Sequence, residues 1–283
     1  MKRSKPAIRH RAARIRLNPP DLSGPPNPDG WWQLSPDNRL RNVAVVLVEP
    51  ARPENVGAAA RALKTMGLRR LIVVGTDTWQ SGKARALAVG AGDVLEAVEE
   101  YATLAEAVAG MKAVAVTTAR RRRRARPVFP IDGVAPHLLG VAEHGPVAVV
   151  FGREEWGLTN SELLLGDWWT TIPMVTTYPS LNLAQSVMLV CRELARAAVG
   201  PLPKYPWIPA AKIERQRLIE HAAKTVVSAG LIPRPDFEGY LTVLGRMIDR
   251  ALLEDRDVAV LHGLFAQMDN YVRRHGPKDG ETV

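Results

Sequence analysis

Three short segments hold the residues whose types and spacing could do chemistry. The first reads Glu49-Pro50-Ala51-Arg52-Pro53-Glu54-Asn55-Val56-Gly57 and continues through alanines to Arg61. Arg61 follows Gly57 by one helical turn, so on a helix its guanidinium shares the face presented to the preceding loop. The second, Phe151-Gly152-Arg153-Glu154-Glu155-Trp156-Gly157-Leu158, closes an apolar run. A strand that stops at one glycine and turns at another exposes backbone N–H groups to a ligand. The third, Tyr178-Pro179-Ser180-Leu181-Asn182-Leu183-Ala184-Gln185, opens a long helical pattern. Each segment also has a plainer reading. Asn55, Ser180 or Asn182 serves as a helix N-cap, Arg61 is a solvated helix residue, and the glycines are turns. Glu154 and Glu155 resemble a carboxylate pair, but adjacent side chains diverge in most conformations, so they read as loop-fixing or solvated.

Further candidates are quickly placed. Arg120, Arg121, Arg122, Arg123, Arg124 and Arg126 directly follow Thr117-Thr118-Ala119. Such a run is either a solvated loop or a set of phosphate contacts. The six histidines are scattered without ligand spacing, so no metal is assigned. Cys191 shares a helical face with Leu183, Val187, Val190 and Leu194 and reads as core.

The elements that must position these residues alternate. Apolar strand patterns cover 43–48, 71–74, 113–117, 147–151 and 169–172, with helical patterns at 56–66, 83–89, 104–109, 133–139 and 183–198. Short apolar strands alternating with helices indicate an α/β fold, a mainly parallel sheet with helices on both faces. Ligands bind such sheets beyond the carboxyl ends of the strands, where the three segments fall. A proline-rich linker follows at 201–210, then a small helical C-terminal domain at 211–283, with helices expected at 212–229, 235–249 and 255–274. Residues 1–40 hold seven prolines and read as a flexible basic arm around Trp31-Trp32, ahead of a main domain at 41–200.

The 283 residues carry a net charge of +9, of which the arm supplies a surplus of five, and the C-terminal domain is neutral. The basic excess favours a polyanion partner, because phosphate contacts gain from counterion release. No apolar run approaches the roughly 20 residues that span a bilayer, so no membrane partner is expected. One cysteine excludes an internal disulfide framework and fits a reducing cytoplasm. An acid-free, arginine-rich start leaves a transit peptide conceivable, although the prolines and the lack of an amphipathic face weigh against it. No dinucleotide fingerprint follows any strand, which disfavours a nucleotide-binding oxidoreductase.

The order of the segments carries more information than any one of them. N-x-G-x-x-x-R after an early strand, F-G-R-E-x-x-G-L later, and S-L-N-L-A-Q before a long helix together resemble the three motifs of the SpoU-TrmH branch of the SPOUT methyltransferases. The resemblance covers about residues 42–198. It implies a C-terminal trefoil knot, which pattern reasoning alone would not have found. It also implies a homodimer and S-adenosylmethionine as cofactor, held by Thr117, Thr118, Ala119, Gly152, Gly157, Ile172, Pro179, Ser180, Leu181 and Asn182. The implied reaction is methylation of a ribose 2′-hydroxyl in RNA. Arg61 would be the catalytic residue, supported by Asn55, Ser180 and Asn182. Arginine keeps its proton at ordinary pH, so Arg61 would stabilise the developing oxyanion rather than act as a base. The arginine run would contact RNA. The helical tail resembles that of the TrmJ-type tRNA methyltransferases, which implies tRNA as substrate, at position 32 of the anticodon loop. Ribosomal RNA, or RNA binding without turnover, are the alternatives.

Overall fold

A computed structural model describes residues 37–119, 126–175, 181–205, 207–230 and 237–275. The greater part of the basic arm, Trp31-Trp32 included, lies outside the described residues, as do Arg120 to Arg124, Pro179 and Ser180. The folded body already includes Asp37 to Leu40: Leu40 is buried, and Arg39 pairs with Asp37 and Glu143.

Seven strands form one parallel sheet. They are β1 (Val43–Val48), β2 (Arg70–Val74), β3 (Glu99–Tyr101), β4 (Ala113–Thr117), β5 (Val128–Pro130), β6 (Val147–Phe151) and β7 (Trp168–Thr171), in the order β3-β2-β1-β6-β4-β7-β5. The α/β fold class read from the sequence is the one observed. The two strands that the pattern did not reveal, β3 and β5, are both edge strands of three residues.

Because side chains alternate across a strand, each central strand serves two cores. Val43, Val45 and Leu47 of β1 join Val147, Val149 and Phe151 of β6 in one core; Ala44, Val46 and Val48 join Ala148 and Val150 in the other. Helices α1 (Pro53–Thr65), α2 (Gly82–Leu87), α3 (Gly92–Glu96), α5 (Ile131–Ala142) and α7 (Leu183–Val199) cover the first face. Helices α4 (Leu104–Val108) and α6 (Asn160–Leu164) cover the second.

Helix α1 begins three residues before the apolar pattern does, with proline at its first position, where the missing N–H costs nothing. Gly57 has a packing reason. A Cβ there would lie 1.9 Å from the Ala84 carbonyl oxygen, so only glycine lets α1 and α2 approach this closely.

Three further helices complete the body: α8 (Lys212–Ser228), α9 (Phe237–Ala251) and α10 (Asp255–His275). They share a small core of Ala210, Leu218, Ile248 and Val258. The segment 201–210 packs on the sheet domain, since the Pro203 carbonyl oxygen lies 2.4 Å from where a Cβ of Gly140 would stand. The first amides of α8 continue the attachment: Lys212 N donates to Met111 O at 2.9 Å and Ile213 N to Ala109 O at 3.0 Å.

A buried ionic cluster seals this joint. Arg215 donates to Asp167 at 2.7 Å, and Lys212 donates to Asp167 at 3.2 Å and to Asp249 at 2.6 Å. Burial pushes the Asp167 pKa up, but the Arg215 and Lys212 charges and the Val114 amide outweigh it and hold the carboxyl below its ordinary value. Asp249 shifts the other way, raised by burial and by the Asp167 charge.

Candidate active site

A cleft of about 340 Å³ opens beyond the carboxyl ends of β4, β6 and β7, the region where parallel sheets bind ligands. Thr117, Thr118 and Ala119 continue β4 into it; Phe151 to Leu158 form the loop after β6; Thr171, Ile172 and Met174 follow β7; Leu181, Leu183 and Ser186 come from the start of α7. Seven of the residues assigned to the cofactor thus lie together: Thr117, Thr118, Ala119, Gly152, Gly157, Ile172 and Leu181. Pro179 and Ser180 fall outside the described residues.

The loop after β6 must fold back on itself. A Cβ on Gly152 would sit 2.3 Å from the Gly157 carbonyl carbon and 2.4 Å from Leu158 N, so the turn closes only over glycine. Gly157 has φ +74, a left-handed conformation that side chains disfavour, and its N–H donates to Arg153 O at 2.9 Å. Arg153 braces the loop from outside. Its guanidinium pairs with Glu49 and with Glu162 and lies 4.1 Å from the ring centre of Trp156. The Glu49 hydrogen bond, followed by those of Glu162, keeps Arg153 charged against the effect of burial.

A chain of side-chain hydrogen bonds joins the three motif segments. Asn182 caps α7: its Oδ1 accepts from Ala184 N at 2.9 Å, and the Gln185 side chain accepts from Asn182 N, a capping box. With Oδ1 engaged in the cap, Asn182 donates through Nδ2 to Asn55 Oδ1 at 2.9 Å. Asn55 then donates through Nδ2 to Glu154 Oε1 at 2.8 Å, and Glu154 Oε2 accepts from Ala51 N at 3.0 Å. The direction of every proton is fixed by the cap at one end and the carboxylate at the other. Burial raises the Glu154 pKa, but the Ala51 amide and the Asn55 side chain more than offset it, so the carboxyl is held below its ordinary value. Of the two readings of Glu154, the loop-fixing one describes its geometry, whereas Glu155 is exposed. Asn55 is not an N-cap; that position belongs to Arg52, and Asn55 lies one turn inside α1.

Two arginines sit differently from expectation. Arg61 is exposed on α1 and is not among the residues lining the cleft of its own chain. Arg126 is no open phosphate contact. Its side chain is 8% exposed, donating to Gly166 O at 2.7 Å and to Asp249 at 3.1 Å, so it belongs to the ionic cluster. Nothing in the arginine run distinguishes this member, because its partner lies 123 residues further along the chain. Arg153 and Glu154 as braces were equally invisible, as their partners Glu49, Glu162 and Asn55 are fixed only by the fold. Cys191 is fully buried, and burial pushes its thiol up to about 12, as suits a core residue. Among the described residues, no group of three or more His, Cys, Asp or Glu side chains could hold a metal, and no helix is long and apolar enough to cross a membrane.

Comparison with known proteins agrees with this arrangement. The SpoU rRNA Methylase family matches residues 42–192, the span that contains all three segments. The tRNA (cytidine/uridine-2′-O-)-methyltransferase TrmJ of Klebsiella pneumoniae is 36% identical over 238 residues, covering 81% of this chain and 97% of that protein. The uncharacterized tRNA/rRNA methyltransferase LasT of Escherichia coli is 35% identical over 237 residues, covering 82% and 99%. Among solved structures, TrmJ from Z. mobilis ZM4 superposes with a TM-score of 0.68 at 30% identity, covering 80% of this chain and 98% of that one. With the family matched over both its motifs and its fold, the chain belongs to the SpoU methylases.

Proposed function

We propose that this chain transfers a methyl group from S-adenosylmethionine to a ribose 2′-hydroxyl of tRNA, in the anticodon loop at position 32. The observation that carries the reading is the cleft formed by the loops after β4, β6 and β7 and the start of α7, to which the first motif segment is tied by the Asn182–Asn55–Glu154 chain. It is supported by the relatives named as tRNA 2′-O-methyltransferases. The closed Gly152–Gly157 turn suits a cofactor held by main-chain groups, since a side chain on Gly152 would fill the cradle. Thr117, Thr118, Ala119, Ile172 and Leu181 line the same cleft, and the motif resemblance assigns Pro179, Ser180 and Asn182 to the cofactor as well.

The cofactor supplies an electrophilic methyl on sulfonium. When bound, it would give that methyl to the ribose oxygen and leave as the neutral thioether, while the hydroxyl proton would pass to a substrate phosphate or to solvent. Arg61 stabilises the charge that develops on that oxygen. Because Arg61 lies outside the cleft of its own chain, a homodimer supplies it from the second copy. The insertion of β7 between β4 and β5 supports the threaded, knotted arrangement of the C-terminal part. Arg120 to Arg124 contact RNA beside the target ribose, and helices 211–283 contribute to the choice of RNA. The cytoplasm is the expected compartment.

Labelled-methyl transfer to tRNA and to ribosomal RNA, followed by mapping of the methylated ribose, tests the activity. Methylation of ribosomal RNA alone would replace tRNA as substrate, and no transfer with no calorimetric cofactor binding would overturn the reading. Mixing an Arg61→Ala chain with a Gly152→Val chain tests the dimer: restored turnover in the mixture supports Arg61 acting across it.

A further inference from the structure

We propose that Trp156 is a stacking platform for the base of the nucleotide whose ribose receives the methyl group. The inference rests on the ribose-methylation reading and adds to it the side chain that holds the substrate's base. Trp156 lines the cleft, yet 44% of it stays exposed. Other tryptophans have structural employment. Trp79 donates its indole N–H to Glu100 at 3.1 Å, Trp169 to Leu163 O at 2.8 Å and Trp207 to Leu252 O at 2.9 Å. Among the described residues, the Trp156 ring has one partner, the Arg153 guanidinium.

That partner fixes the ring before any substrate arrives. The guanidinium lies over one face, 4.1 Å from the ring centre, and is itself anchored by Glu49 after β1 and by Glu162 on α6. The Arg153 side chain is only 10% exposed. With one face taken by the cation, what stays open is the rest of the ring. The Gly152–Gly157 turn closes the loop that carries it. A ring already ordered in this way loses little freedom when a flat ligand stacks on it.

Position selects a substrate base over the adenine of the cofactor. The ends of the loop, Phe151 and Leu158, are buried, while its tip, Glu155 and Trp156, is exposed. The ring therefore stands on the solvent side of the glycine cradle. A 2′-oxygen is bonded to the carbon next to the one that bears the base, so a ribose presented to the cleft brings its base to this rim. Stacking reads no base edge, so the platform tolerates any base and contributes affinity and orientation.

The test measures methyl transfer at saturating cofactor to tRNA and to the same RNA with an abasic ribose at the mapped target position. Trp156→Ala should raise the KM for tRNA about 5- to 150-fold. Trp156→Phe should keep most of the affinity, and Trp156→Leu, apolar but without a π face, should resemble alanine. On the abasic RNA, which keeps its 2′-hydroxyl, wild type and Trp156→Ala should share one KM, because both changes remove the same contact. Calorimetry should give all four chains equal cofactor affinity. An alanine penalty just as large on the abasic RNA, or a leucine variant equal to phenylalanine, would overturn the proposal. Weaker cofactor binding in the alanine and leucine variants would overturn it in favour of adenine on the ring. A wild-type chain that methylates no RNA would overturn the functional reading itself, and this inference with it.

Discussion

The two ends of the parallel sheet carry polar networks of opposite design. At the carboxyl ends, Asn182, Asn55 and Glu154 form a chain of amides closed by one carboxylate at the edge of an open cleft. At the amino ends, Asp167, Asp249, Lys212, Arg215 and Arg126 form a desolvated cluster of formal charges. The amide chain holds its members through neutral hydrogen bonds and one carboxylate beside the cleft. The charged cluster is fixed, because separating any member leaves a buried charge unpaired. Ligand-facing and load-transmitting functions are thus divided between the two ends of the sheet.

The contrast is broken most severely by Asp167→Ala. Lys212 and Arg215 would lose their shared partner, at a cost of about 3–5 kcal/mol. Urea unfolding should show that loss, while turnover per folded molecule stays near normal; equal losses of both would erase the distinction. At the other end, Gly152→Ala should reverse the ratio. The clash with Gly157 opens the turn, and calorimetry should show at least tenfold weaker cofactor binding with stability lowered by about 1–3 kcal/mol. Asn55→Ala leaves the Glu154 carboxylate and the Asn182 amide short of a partner, a loss of about 1–3 kcal/mol. It should appear as slower methyl transfer more than as a lower melting temperature.

Acid unfolding sharpens the comparison further. Asp167 has a depressed pKa, so its contribution is complete above the unfolded carboxyl value of about 3.9 and is lost as pH falls through its lower folded value. Asp249 is raised, so it opposes folding increasingly as pH rises from about 3.9 through its folded value. Asp167→Asn should therefore flatten the acid limb of stability, and Asp249→Asn should remove the opposing trend above it. The smallest effect is at Cys191, whose buried thiol should react with a thiol reagent only as fast as the protein unfolds.

What the sequence made legible follows how local each signal is. Strands β1, β4 and β6 are runs of valine and alanine buried on both faces, so their composition alone declares them. β3, with two glutamates, and β5, ending in proline, lie at the sheet edges where burial imposes no pattern. The three motif segments were legible as an ordered set; described residues of the second and third line one cleft, and the first is tied to them through Asn55. The partners that hold them were not. Asn55 meets Glu154 across 99 residues and Arg126 meets Asp249 across 123, and no spacing rule links positions that only tertiary folding joins.

The sheet order also constrains how the chain is completed as it is made. β7 lies between β4 and β5, both of which precede it in the sequence. Until residue 171 has left the ribosome, β5 has no neighbour to pair with and the β4 edge stands open. The nascent protein therefore carries an unfinished sheet through the whole of α5, β6 and α6, and the last strand must pair with β4 and recruit β5 to complete it. Such long-range parallel pairing is slow, so this interval is when the growing chain is most exposed to aggregation and to chaperone capture.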